Sequence, residues 1–165
     1  MRLSRLSSAL SIPTVLLCLS ATVCKAQSAE GWWQTIDDKT GKVKSIVHIM
    51  SEKGALTGKV ERLFRKPDEI QDPVCIDCSG ARKNQRIIGM TILWDLKPVK
   101  KGWDNGSILD PGNGKTYRCK MDLADGGKSL IVRGYMGISL LGRSQTWKRV
   151  PAGSEPKDTI SARQP

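Results

Sequence analysis

The chain has 165 residues, a formal net charge of +11 and a sequence pI near 9.7. This length fits one domain with a short tail and leaves little room for a second. Hydrophobic residues make up 39% and charged residues 26%, a globular rather than a disordered balance, and 16 Gly with 8 Pro argue against long helices.

Residues 1–26 are predicted to be a secretory signal peptide that is cleaved near Ala26. A positive start with Arg2 and Arg5 precedes an apolar stretch and then small residues. The apolar stretch is shorter than the roughly 20 residues that span a bilayer, which disfavours a retained anchor. Leu17 precedes Cys18 and Val23 precedes Cys24, and the lack of a small residue before either cysteine disfavours a lipoprotein. We therefore expect a periplasmic or secreted protein. Its leader removes three of the basic residues and no acidic one, so nucleic acid is not expected as a partner.

Residues 27–150 read as one all-β domain, because short β-rich segments alternate with turns rich in Gly, Asp, Asn and Pro. Eight or so antiparallel strands are enough to close a barrel that holds side chains or one small ligand. The predicted strands are 31–36, 43–50, 55–64, 86–94, 106–109, 115–123, 128–136 and 143–150.

Two strands show their faces by alternation. Residues 115–123 place Tyr117, Cys119 and Met121 on one face. Residues 55–64 place Leu56, Val60 and Phe64 together. Residues 151–165 are predicted to be a disordered polar tail.

Three cysteines follow the leader: Cys75, Cys78 and Cys119. A C-x-x-C pair could be redox-active or could contribute to a zinc site, but the usual βαβ context and a complete set of four ligands are both missing. An exported protein favours a structural disulfide, and we predict Cys75–Cys78 with Cys119 as a small buried side chain. No metal and no cofactor are predicted.

The other chemical groups do not form a catalytic signature. His48 has no neighbouring nucleophile or carboxylate in the sequence, so a structural or surface role is expected. The densest basic set is expected at one mouth of the barrel, where it could attract an anionic ligand or anionic lipid. It consists of Arg82, Lys83, Arg86, Lys97, Lys100 and Lys101.

The last strand places Arg143, Gln145, Trp147 and Arg149 on one side. These residues have two interpretations: Arg149 closes the barrel over Trp32 or Trp33 by cation–π contact, or the strand forms the polar end of a ligand cavity. We predict a structural role for Gly31, Trp32 and Arg149. The predicted ligand-binding residues are Trp33, Tyr117, Arg133, Tyr135, Arg143, Gln145 and Trp147.

Four motifs in order resemble a bacterial exported family, domain of unknown function 2147. The motifs begin at Gly31, Ile108, Val132 and Gly142 and read GWW, ILDPGNGKTY, VRGY and GRSQTW. The resemblance covers about residues 31 to 150 and implies a lipocalin-like β-barrel without implying a reaction. In lipocalins an early Gly-x-Trp packs with a late Arg, and the GWW motif and Arg149 would fill those places.

These observations predict a binding module for a small apolar or amphipathic ligand, which could carry an anionic head. They do not predict an enzyme. The alternative is a filled barrel with a structural or adaptor role in the cell envelope. The sequence does not indicate the ligand or the oligomeric state.

Overall fold

The computed structural model describes residues 28–156, so the predicted leader and the last part of the predicted tail lie outside the described residues. Eight antiparallel strands follow one another around a closed barrel, and β8 pairs with β1. The prediction of an all-β, eight-stranded barrel is confirmed. The strands are β1 Gly31–Ile36, β2 Val43–Glu52, β3 Ala55–Leu63, β4 Thr91–Pro98, β5 Trp103–Asp110, β6 Lys115–Ala124, β7 Ser129–Tyr135 and β8 Gly142–Arg149.

The barrel has two distinct ends, because each antiparallel strand reverses the direction of the chain. We call the end where β1 begins the base; it carries residues 28–30 and the turns 53–54, 99–102 and 125–128. We call the opposite end the rim; it carries the connections 37–42, 64–90, 111–114 and 136–141.

The core fills the inside of the barrel with apolar side chains from alternate strand positions. The predicted alternation of β6 is confirmed, since Cys119 and Met121 are fully buried while Thr116 and Arg118 are exposed. The largest inward side chains that are fully buried are Trp33, Val47, Ile49, Leu93, Leu96, Met121, Leu130 and Trp147.

A β-bulge changes the prediction for the end of β3. Val60 pairs with Val47 and Arg62 with Ile46, so the intervening residue of β3 has no partner of its own. A bulge of this kind shifts the alternation by one residue. Leu63 therefore packs against the core, and Phe64, predicted to share the buried face of Val60, is 46% exposed.

The strand predicted at 86–94 begins later, at Thr91, and β5 begins earlier than predicted, at Trp103. The apolar residues at the start of the predicted strand 86–94 belong instead to the rim loop 64–90, which is itself packed on the barrel. Ile87 is bound through its backbone to Pro73 and lies against the core, and Gly89 has a positive φ that ends the extended run.

A disulfide anchors this rim loop. Cys75 and Cys78 are buried and bonded, which confirms the predicted pairing, and the Cys75 Sγ lies 3.5 Å from the carbonyl oxygen of Pro111. The Arg82 guanidinium lies 4.5 Å from the centre of the Trp94 ring on the outer wall. Cys119 is free and buried inside the barrel, and burial raises the pKa of its thiol to about 12. It therefore remains a neutral packing group, as the sequence predicts.

Candidate functional site

The base of the barrel is sealed around Trp33. The Trp33 indole N–H donates to the carbonyl oxygen of Ala29 at 2.8 Å, and the Arg149 guanidinium lies 4.2 Å from the centre of the Trp33 ring. Arg149 also donates to the carbonyl oxygens of Ser28, Glu30 and Gly127 at 2.6–2.9 Å. Burial lowers the pKa of Arg149 from its ordinary value, and a guanidinium nevertheless stays protonated at neutral pH. These contacts join the segment before β1 to the last strand and close this end.

Trp33, predicted to bind a ligand, has the structural role that the sequence assigns to Trp32. Trp33 pairs with Arg149 and is fully buried, whereas Trp32 lies on the outer wall, its ring stacked on His48 at 4.0 Å with an interplanar angle of 4°. Side chains alternate between the two faces of a strand, and in β1 those of residues 31, 33 and 35 face the inside. At Gly31, φ is +115°, and a Cβ would lie 3.2 Å from the Arg149 guanidinium. Gly31 and Arg149 thus occupy structural positions, and Trp33 replaces Trp32 beside them.

The middle of the barrel is tightly packed. Two inward-facing glycines are crowded there: a Cβ at Gly58 would lie 3.0–3.2 Å from Leu93 and Val47, and a Cβ at Gly106 would lie 2.8 Å from the carbonyl oxygen of Trp94. Such distances are shorter than ordinary side-chain contacts, so the wall is already tightly packed.

The rim end of the interior is lined by residues that are only partly buried. Ile108 and Tyr117 face the inside and are only partly buried, and Gly134 adds no side chain beside them. A Cβ at Gly134 would lie 3.4 Å from Ile108 and 3.6 Å from Tyr117, which is ordinary contact. The Tyr117 hydroxyl points to the rim turn, where the side-chain amide of Asn113 donates to it at 3.2 Å. This end is therefore lined by partly buried side chains, and one of them carries a polar hydroxyl.

A chain of polar contacts runs from the core to the rim along β8. The Trp147 indole N–H donates to Gln145 at 3.3 Å, the Gln145 amide donates to Asp38 at 3.3 Å, and Arg143 forms an ion pair with Asp38. The Arg143 hydrogen bond is the main reason why the pKa of Asp38 is lowered, with a second contribution from Gln145. The predicted ligand residues Arg143, Gln145, Trp147 and Tyr117 thus share the inner face, with Trp147 as its buried floor.

Two predicted ligand residues lie on the outer wall instead. Leu130, Val132 and Gly134 of β7 face inward, so Arg133 and Tyr135 face outward. Tyr135 is nevertheless buried on this face, at 6% exposure: the Arg118 guanidinium lies 5.6 Å from its ring centre, and its hydroxyl donates to the Asp104 carboxylate at 3.4 Å. The prediction that Arg133 and Tyr135 line the cavity is therefore wrong, because it took residues 133, 135 and 143 together without fixing which face each strand presents.

The basic set predicted at one mouth is divided between the two ends. Arg82, Lys83 and Arg86 lie in the rim loop, whereas Lys97, Lys100 and Lys101 lie at the base. Two of the rim members are also engaged locally, Arg86 with Asp72 at 2.7 Å and Lys83 with the carbonyl oxygen of Ile76 at 3.1 Å. The prediction of a single basic mouth made from these six residues is wrong.

Sequence reasoning missed two features of the rim. Asp38 joins Arg143 and Gln145 across more than a hundred residues of chain, and no local pattern indicates this contact. The run from Met136 to Leu141 is apolar yet exposed, and its composition, unusual for a connection, was the available signal.

Other candidate sites are weaker. Two open surface grooves of about 540 and 500 Å³ lie outside the barrel, one beside Lys128 and Lys148 at the base and one beside Gln85 and Thr91. Over residues 28–156 there is no group of three or more side chains suited to hold a metal ion. Within the same span, no helix has the length and apolar character needed to cross a bilayer.

Residues 31–149 match the model of a family described as an uncharacterized protein conserved in bacteria, DUF2147. The chain belongs to this family. A solved structure, protein HP1028 from Helicobacter pylori, which belongs to the lipocalin family, is similar with a TM-score of 0.64 and 21% identity over 76% of this chain and 84% of that one. This likeness confirms the lipocalin-like fold. Among curated proteins no sequence match is found.

Proposed function

We propose that the protein is an exported binding module that takes the apolar end of a small amphipathic ligand into the rim end of its barrel. The observation that carries the proposal is the change along the interior. Crowded glycines and fully buried side chains fill the middle, whereas the rim end is lined by the half-buried Ile108 and Tyr117 beside the uncrowded Gly134. Ligand sites combine an apolar wall with a few placed polar groups, and the rim end has both.

The polar groups of the rim suit an anionic head. Arg143 is 70% exposed on its side chain and turns toward the mouth, and its partner Asp38 is held by Gln145 as well. A guanidinium can bind a carboxylate or phosphate through two parallel hydrogen bonds. In this proposal Arg143 and Gln145 contact the head, Tyr117 lines the wall, and Trp147 is the floor.

The filled middle limits how much of the ligand enters. Trp33 and Trp147 are fully buried, so only a short apolar segment fits above them. His48, the only histidine, is stacked on Trp32 on the outer wall and away from this site, which supports binding rather than catalysis.

Two measurements test the proposal. Native mass spectrometry of the purified protein, followed by solvent extraction, should detect a bound amphipathic molecule. A fluorescent fatty acid should bind to the protein and lose affinity about tenfold or more in Gly134→Leu, whose side chain fills the mouth. Ile131→Leu, three residues away on the outer wall, is the matched control and should bind normally.

The filled middle also favours the second candidate, a barrel that acts as an adaptor of the cell envelope and has no ligand. It predicts an empty mass spectrum and no binding of the probe. Equal binding by the wild type and Gly134→Leu would likewise place the probe elsewhere and contradict the proposed site.

A further inference from the structure

Exposed apolar side chains are concentrated at the rim. Within residues 28–156, ten large hydrophobic side chains are exposed, and eight of them lie in two rim loops. The other two are Val99 at the base and Ile131 on the outer wall. The eight are Phe64, Ile70, Val74, Ile76, Met136, Ile138, Leu140 and Leu141. Single exposed apolar residues are normal, but several close together in one short loop, as in residues 136–141, mark an interaction surface.

The loop 136–141 is the densest of these apolar segments. Its four large side chains are 63–81% exposed, and no charged residue interrupts them. The backbone is nevertheless fixed, because the Arg133 guanidinium donates to the carbonyl oxygens of Ser139 and Leu140 at 2.7 and 3.1 Å. The Leu141 N–H also donates to the carbonyl oxygen of Ile138 at 3.1 Å. The loop therefore presents its apolar side chains from a defined turn.

Basic side chains flank this loop on both sides. Lys39 and Lys42 lie in the neighbouring loop 37–42, which the Asp38–Arg143 ion pair joins to β8. Arg118 lies on the other side, next to Tyr135 at the end of β7. All three are exposed, and none forms an ion pair with another residue of the described span.

We infer that the rim docks on an anionic lipid surface, with the side chains of loop 136–141 in the interfacial region of the bilayer. Lys39, Lys42 and Arg118 then lie at the level of the lipid head groups. Apolar residues between cations have the character of interfacial membrane-binding segments, and each cation near an anionic surface adds to the attraction. A second copy of the chain is the competing occupant of this surface, and size-exclusion chromatography distinguishes it from a lipid surface.

This surface is independent of the proposed ligand site, since it uses side chains outside the barrel. If both are present, the mouth of the barrel faces the bilayer. Vesicle binding and probe binding are separate measurements, so either can fail without the other.

The test is flotation with vesicles of phosphatidylcholine alone and with vesicles containing about one third phosphatidylglycerol. All variants are expressed from the full sequence, so they share the same termini. We expect flotation with the anionic vesicles that decreases as salt is raised. The double variant Leu140→Ser with Leu141→Ser should bind the anionic vesicles with an affinity at least about tenfold lower. Lys39→Gln with Lys42→Gln should reduce binding to the anionic vesicles.

The matched control is Val99→Ser with Ile131→Ser, which removes two exposed apolar side chains away from the rim and should bind like the wild type. All these positions are exposed, so equal melting temperatures are expected and would exclude unfolding as the cause of lost binding. Absence of flotation, or equal losses in the rim and control variants, would overturn the inference. A dimer in size-exclusion chromatography that Leu140→Ser with Leu141→Ser dissolves, without vesicle binding, would assign the surface to a second copy instead.

Discussion

The base and the rim of this barrel use the same kinds of residue in opposite ways. At the base, an arginine covers a tryptophan and donates to three carbonyl oxygens, and both side chains serve packing. At the rim, Arg143 is largely exposed and pairs with a surface carboxylate, while large apolar side chains face outward. The comparison predicts that substitutions at the base cost more stability than substitutions at the rim.

The largest expected effect is at the base. Trp33→Ala should lower the free energy of unfolding by about 3–5 kcal/mol, because it removes a fully buried indole and leaves a cavity. Trp32→Ala is the control, and it should cost only about 1 kcal/mol because its ring is stacked on the outer wall. Urea denaturation measures both. Equal losses would mean that the two tryptophans do not have the different roles described.

Arg149→Met should follow, with a loss of about 2 kcal/mol, because three carbonyl oxygens lose a charged donor. Arg149→Lys should recover little of this, since an ammonium cannot reproduce the planar fork over Trp33. Arg143→Met at the rim is the matched comparison, measured by the same urea titration. A larger loss there than at Arg149 would reverse the assignment of the two ends.

Two glycine substitutions compare the middle with the rim directly. Gly106→Ala should cost about 1–3 kcal/mol, because the new Cβ would lie against Leu96 and the carbonyl oxygen of Trp94. Gly134→Ala should be neutral or stabilise the protein by less than about 1 kcal/mol, since its Cβ fits at 3.4 Å and restricts the unfolded chain. Thermal melting separates these outcomes, and a strong loss in Gly134→Ala would show that the rim is as tightly packed as the middle.

The smallest effect belongs to the ion pair of the rim. Asp38→Asn should cost less than about 1 kcal/mol, because the pair is exposed to solvent. The pKa of Asp38 is lowered from its ordinary value of 3.8, so its stabilising contribution is complete above that pH and is lost as the pH falls through the lowered value. Stability measured from pH 7 into the acid range should show the difference between Asp38→Asn and the wild type disappearing. A difference that grows on acidification would contradict this sign.

Alternation and turn composition predicted most of the fold, because each half-buried strand repeats with period two. The bulge in β3 and the packed loop 64–90 were out of reach, since both depend on contacts between distant segments. The alternation of side chains along each strand also decides which residues line the site. Tyr117, Gln145 and Trp147 lie on the inner face, whereas the structural tryptophan is Trp33 rather than Trp32, and Arg133 faces outward. Adjacent side chains of one strand point to opposite faces of the sheet, and the sequence alone does not show which of the two faces lines the interior.

The most direct test of the difference between the two ends is amide chemical-shift mapping by nuclear magnetic resonance, with a fatty acid added to the labelled protein. If the ligand enters at the rim, the shifts should concentrate on Ile108, Tyr117, Gly134 and the start of β8, while Trp33 and Arg149 at the base remain unchanged. Shifts centred on the base, or no shifts at saturating fatty acid, would contradict a binding site at the rim.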